Sequence, residues 1–288
     1  MRYRPLFHLA ALAVSLLASA PAVLAQTAQP PAARKVSNWG FQAEGPDPEL
    51  PPPTPGAPID NHDFSGVWES DHSSTRGFRS MTEEAAIPPR TAWAQEMYLS
   101  RKTARPHDGK TAVEPAFGND PIMQCNPKGL LRQFMYTEPA EFIYPASGDR
   151  ILMIFQSQGS PRTIWMDGRA LPVNPEPRWN GYSVGRWEGD TLVVDSSGFD
   201  DRAWLDQYGN VYSSDMRLEE RWRRVDRDTL EAVYRIDDPK SYTRPWVSTT
   251  KRWKRQPHEL REEFCAPMDE LHFNDVVRDP AAGLKRQQ

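Results

Sequence analysis

Met216–Ile236 reads MRLEERWRRVDRDTLEAVYRI, and the alternation in it decides the fold. Two runs of period two flank Asp226-Arg227-Asp228, a turn composition at hairpin spacing. With 226–228 as a three-residue loop, Trp222 opposes Ala232, Glu220 opposes Tyr234 and Leu218 opposes Ile236. The face carrying Met216, Leu218, Trp222, Tyr234 and Ile236 is then the inner one, because a strand buries alternate residues. Glu220 is the polar exception on that face. A buried carboxylate needs a partner, and Tyr234 directly across the ladder is one; an arginine or water at the strand end is another.

The same rhythm extends on both sides of this hairpin. Phe64–Glu69 reads as a first strand. Phe142–Tyr144 and Ile151–Phe155 flank Ser147-Gly148-Asp149, and Thr163–Asp167 follows Gly159-Ser160-Pro161. Tyr182–Trp187 and Thr191–Ser197 flank Glu188-Gly189-Asp190, and Trp246–Arg255 with Leu260–Phe264 ends the series. One helix is expected over Pro88–Ala104, with prolines at its start and Trp93 and Met97 on one face. About ten short strands with turn-like connections make a mainly β fold, an antiparallel meander that closes into a barrel or folds into a sandwich. No fixed repeat suggests a propeller.

The 288 residues carry 35 Lys and Arg against 39 Asp and Glu, a formal charge of −4, with 38% hydrophobic residues. That balance lacks the clustered positive excess that nucleic-acid binding needs. Arg2 and Arg4, the apolar run Leu6–Ala20 and the small residues before Gln26 read as a signal peptide over 1–25. The run is short for a membrane anchor, so no membrane span is expected after cleavage. Cleavage leaves 33 basic against 39 acidic residues. Residues 26–60 hold nine prolines, including Pro51-Pro52-Pro53, and read as a disordered linker. The barrel domain is expected over 61–270 and a polar tail over 271–288. In an oxidising compartment Cys125 and Cys265 most simply form one disulfide.

Candidate chemistry is scattered. Gly181-Tyr182-Ser183-Val184-Gly185 has the spacing of a nucleophile elbow, but a strand follows it where that motif needs a helix. The mature histidines show no metal-ligand spacing, so neither metal nor other cofactor is expected. Acid–base work would then fall to carboxylates and tyrosines. Asp195, Tyr212 and Tyr242 are the catalytic candidates. Arg169, Ser183, Trp187, Trp204, Glu220, Tyr234 and Asp238 are candidates for ligand contact. With Glu188-Gly189-Asp190 as a three-residue loop, Ser183 opposes Asp195 and Gly185 opposes Val193. The small or polar residues of that face would leave a cavity, or would meet water outside the sheet. Seven tryptophans between Trp165 and Trp253 either line a pocket for an apolar or aromatic ligand or fill a solid core.

Two resemblances follow from particular residues. Phe64-Ser65-Gly66-Val67-Trp68, ahead of a run of hairpins, resembles the G-x-W opening of lipocalin-like (calycin) barrels. Asp120-Pro121…Cys125-Asn126-Pro127-Lys128-Gly129…Arg132, Ile164–Arg169, Gly185–Val194 and Ile236-Asp237-Asp238-Pro239…Tyr242-Thr243-Arg244-Pro245-Trp246 resemble a family of exported bacterial proteins without an established general activity. That resemblance covers residues 60–265 and implies export and a β-barrel. Relatives commonly carry histidines where this chain has Ala170 or Leu171, Tyr212 and Arg217, so it implies that any histidine-based site is lost here or replaced by Tyr212.

The expected protein is thus an exported β-barrel that binds a small apolar or aromatic molecule. As an enzyme it would be a metal-independent lyase, isomerase or cyclase. The alternatives are a non-catalytic binding or cell-envelope structural protein, and a serine hydrolase using Ser183.

Overall fold

The computed structural model describes residues 59–71, 88–105, 110–114, 117–136, 138–157, 161–263 and 265–267, with 35–36, 43–44, 273, 277–278 and 281–282. The chain divides between Arg34 and Lys35 into two units, and the second holds the fold. The expected signal peptide lies outside the described residues. Within the Pro-rich stretch the described residues are 59–60 and two short strands, β1 (Lys35–Val36) and β2 (Ala43–Glu44), paired antiparallel.

Nine strands form a closed barrel: β3 (Gly66–Ser70), β4 (Ala140–Ile143), β5 (Arg150–Phe155), β6 (Arg162–Trp165), β7 (Tyr182–Glu188), β8 (Thr191–Ser197), β9 (Arg217–Asp226), β10 (Thr229–Asp237) and β12 (Lys251–Arg255). They follow one another around the ring in chain order, and β12 closes it against β3. The tenth strand of the sheet, β11 (Trp246–Val247), pairs with the far end of β10. The run expected as one strand over 246–255 is broken at Ser248, whose backbone N–H donates to the Tyr234 carbonyl while its hydroxyl accepts from Tyr234 N–H.

The wholly antiparallel meander is not what closes the barrel. Neighbouring strands can alternate in direction all the way round a ring only if their number is even, so a nine-strand ring needs a parallel pair. That pair is β6–β7. The chain runs from Trp165 to Tyr182 through a long connection, as a parallel crossover requires. Residues 260–263, expected within a last strand, are in none; Phe264 lies outside the described residues.

The helix α1 is shorter than expected, Ala92–Ser100, with the Thr91 hydroxyl capping Ala94 N–H. Its buried positions are Ala94 and Tyr98, which leaves Trp93 half-buried and Met97 exposed. A second helix that the sequence reading missed, α2 (Leu130–Gln133), is a single buried turn.

The interior is packed with aromatic side chains. Phe134, directly after α2, stacks on Tyr234 at 5.0 Å between ring centres and meets Trp222, Trp253 and Phe155 edge-on or tilted at 5.7–5.9 Å. Phe142 packs on Trp222 and Phe64, and Phe64 on Trp187. The Met216–Ile236 hairpin has the expected register, with Trp222 against Ala232, Glu220 against Tyr234 and Leu218 against Ile236, and an irregularity where Thr229 meets Asp226.

Outside the barrel, the residues around the disulfide form a clasp. Asp120 caps the turn Pro121–Gln124 and accepts both guanidinium nitrogens of buried Arg132 at 2.8 and 2.7 Å. The turn ends on Cys125, which adopts the left-handed conformation and is bridged to Cys265, with 5.8 Å between the Cα atoms. Replacing both cysteines by alanine is expected to cost about 2–4 kcal/mol, somewhat less than chain entropy alone gives for so long a loop; urea denaturation of the variant against the oxidised protein checks it.

Beside the bridge, Lys128 donates to both Glu138 oxygens and to Ser157, and Glu263 presents a buried carboxylate oxygen without a hydrogen-bond partner. Burial, and then Glu138, raise the Glu263 carboxyl above the ordinary glutamate value of 4.5. The folded protein therefore holds this proton more tightly than the unfolded chain, so Glu263 costs stability once the pH exceeds the unfolded value. Glu263→Gln should melt higher than the parent at pH 7 and together with it below about pH 4, as thermal scans across pH will show.

Candidate functional site

The structure distributes the candidate residues over four places. Glu220, Tyr234 and Ser183 lie inside the barrel. Asp195 and Arg169 lie on its outer face. Trp187 closes one end, and Tyr212, Trp204, Tyr242 and Asp238 lie at the other.

Inside, the partner of Glu220 is Arg162. The guanidinium binds the carboxylate through both terminal nitrogens, one of them at 3.0 Å. Nε donates to Ser183 Oγ, and Nη2, already on the carboxylate, donates also to Ser196 Oγ, each at 3.1 Å. Trp222 Nε1 donates to Glu220 at 3.0 Å. All of these groups are buried. Tyr234 is not the partner of Glu220: its hydroxyl accepts from Trp253 Nε1 at 3.3 Å. Burial, with the nearby Glu220 charge, raises the phenol well above 10.0 and keeps it protonated. Ser183 is held between Arg162 and Ser196 (2.8 Å between the two hydroxyls), and no described imidazole bonds to it. The elbow spacing of residues 181–185 is therefore ordinary strand.

The β7–β8 register corrects the expected cavity. Glu188 still pairs with Thr191, so the turn is the two residues Gly189-Asp190, and Ser183 opposes Ser196 while Asp195 opposes Val184. One residue of slip moves a side chain through the sheet. Asp195 faces outward and pairs with Arg186. Nor is there free volume over Gly185: a Cβ there would meet Met166 Sδ at 2.6 Å and Ile164 at 2.8 Å. Glycine stands there because Met166 and Ile164 already occupy the space of a side chain.

Trp187 closes its end of the barrel as packing. The His62 ring stacks on it at 4.2 Å, and His62 Nε2 lies 2.9 Å from the Gly189 carbonyl.

At the opposite end, Tyr212 and Tyr242 donate to backbone carbonyls, of Asp200 at 2.9 Å and Val211 at 2.8 Å. Burial is the main cause that pushes both phenols up. Asp238 accepts from Ser213 N–H, Ser213 Oγ and Ser241 N–H. These groups tie loops together, and with Asp195 on the outer face the three catalytic candidates do not converge.

A groove of about 670 Å³ opens at this end, between α1, residues 118–126 and the loop 201–204. Trp93, Met97, Pro121 and Met123 wall it, and Trp204, Tyr212 and Arg101 lie beneath. Arg101 is buried and donates to the carbonyls of Asn210 and Gly209. Desolvation pushes its guanidinium down to about 10, against raising contributions led by Tyr212 and Tyr242. It stays a cation at neutral pH and lies 5.4 Å from the Trp204 ring centre, with Arg132 at 5.8 Å. Trp204 and Tyr212 are the sequence candidates that meet here. Trp93 and Met97 were legible as an i, i+4 pair but read only as a helix face, and Arg101 carried no sequence signal.

Among the described residues no group of His, Cys, Asp and Glu could hold a metal ion, and no helix is long and apolar enough to cross a membrane. Comparison with protein-family models, curated proteins and solved structures found no match.

Proposed function

We propose that this chain is an exported, non-catalytic binding protein that takes a small apolar or aromatic molecule in the groove beside α1, with the filled barrel as its rigid support. The observation that carries the reading is the groove: its volume falls in the range of small-molecule sites, and aromatic and thioether side chains line it beside polar ones such as Asn119, Gln124 and Arg202, over a fixed cation. Such walls suit a planar apolar ligand. The non-catalytic part rests on the hydrogen bonds above, which commit the phenols of Tyr212, Tyr234 and Tyr242 and the hydroxyl of Ser183 to structural partners. The disulfide supports export, since such bridges persist in oxidising compartments. Membership in the exported family is part of the same proposal, since Asp120, Cys125, Lys128, Arg132 and Asp238 of its motifs all have structural partners here.

The test is titration with the dye 1-anilinonaphthalene-8-sulfonate, followed by its fluorescence. Saturable 1:1 binding to the native protein is expected, and Met97→Glu, which sets a charge on an exposed wall of the groove, should weaken it about tenfold or more (1.4 kcal/mol). Unchanged binding by Met97→Glu, with melting also unchanged, overturns the reading. Export has its own check: protein recovered from the periplasm should begin near Gln26.

A further inference from the structure

The outward face of β7–β10 and β12 is a lattice of arginine–carboxylate pairs. Arg186 holds Glu188 and Asp195, Arg221 holds Glu188 at 2.7 Å and approaches Glu219 at 3.7 Å, and Arg223 and Arg252 share Glu231. Arg217 and Arg235 break the pattern. Each stands opposite a carboxylate across the β9–β10 ladder, Arg217 against Asp237 and Arg235 against Glu219. The side chain of neither makes an ion pair or hydrogen bond with a described residue, and neither does that of Asp237. All three line one groove of about 440 Å³ that the Gly168–Leu171 loop walls on the far side. A second groove, of about 590 Å³, shares Arg217 and Asp237 and continues the trough to Pro175 and Pro239.

We propose that this trough is a second binding site, for a small organic acid that carries two carboxylates and at least one hydroxyl between them. The two free guanidinium groups are diagonal neighbours on adjacent strands, about 7–8 Å apart at their bases. Each is a planar fork that takes a carboxylate through two parallel hydrogen bonds. Two such forks select a diacid over a monoacid. Asp237, opposite Arg217, and Glu219, opposite Arg235, fill the other two corners of this array. Glu219 leans toward Arg221 at 3.7 Å. Asp237, with no side-chain partner among the described residues, accepts a hydrogen bond from a hydroxyl, which selects a hydroxy diacid over a plain one. Arg186 and Arg169 do not compete for the ligand, since Asp195 and Asp167 already hold them. The site is independent of the groove beside α1.

Calorimetric titration with tartrate and with succinate, at a fixed ionic strength of about 150 mM to suppress long-range attraction, tests the proposal. Tartrate should bind one to one, with succinate about tenfold weaker. R217Q and R235Q should each weaken tartrate by about tenfold or more, whereas R221Q, a paired arginine on the same face, should leave it within about twofold. D237A should abolish the preference, so that tartrate and succinate bind that variant alike. Absence of saturable tartrate binding overturns the proposal, as does an R221Q loss equal to that of R217Q, which would mean diffuse surface attraction only.

Discussion

Replacing Glu220 by leucine lowers the unfolding free energy by about 3–5 kcal/mol, because it leaves the Arg162 charge buried and unpaired. Two hydroxyls and no second carboxylate remain beside that guanidinium, which is 2% exposed. Arg162→Met costs a similar amount for the converse reason. The double variant, Arg162→Met with Glu220→Leu, should recover most of the loss, since a well-packed apolar replacement of a buried pair is often neutral or better. Urea denaturation of the two single variants and the double variant gives the coupling directly. Additive losses in the double variant would mean that the two groups are not each other's partner.

The second large effect is expected at Phe134. Its ring is 3% exposed and touches four other aromatic rings along the barrel axis. Phe134→Ala should cost about 3–5 kcal/mol, the transfer energy of the ring plus the cavity left where a rigid β wall cannot collapse. The cavity is apolar and should stay dry. Xenon under pressure should therefore occupy the interior of Phe134→Ala crystals. A loss below about 1 kcal/mol would mean that the ring is not packed as described.

Much of the barrel was legible in the sequence because period-two alternation is local. The Met216–Ile236 hairpin has so many large apolar residues on one face that a one-residue error would have exposed Trp222 and Tyr234 together. The β7–β8 hairpin lacked that constraint. Both faces of Tyr182–Ser197 mix small, polar and apolar residues, so pattern alone did not choose between a two- and a three-residue turn, and Asp195 was set on the same face as Ser183, whereas the two lie on opposite faces. The parallel β6–β7 pair had a signal that went unused, since the stretch between Trp165 and Tyr182 is too long for a hairpin turn. Arg162 had one as well: it lies two residues before Ile164 and so shares its inward face. What it meets there, Glu220, lies 58 residues away, and no local pattern reports a contact at that separation. The groove beside α1 is of the same kind, assembled from α1, residues 118–126, the loop 201–204 and Tyr212, all outside the barrel strands.

Amide chemical-shift mapping tests most directly the claim that the barrel is filled and that binding takes place outside it. With anilinonaphthalene sulfonate added to the labelled native protein, shifts should gather on α1, residues 118–126 and 201–204, and Tyr212. Shifts centred on the inward-facing residues Phe142, Met153, Ala232 and Tyr234, with α1 unchanged, would contradict it.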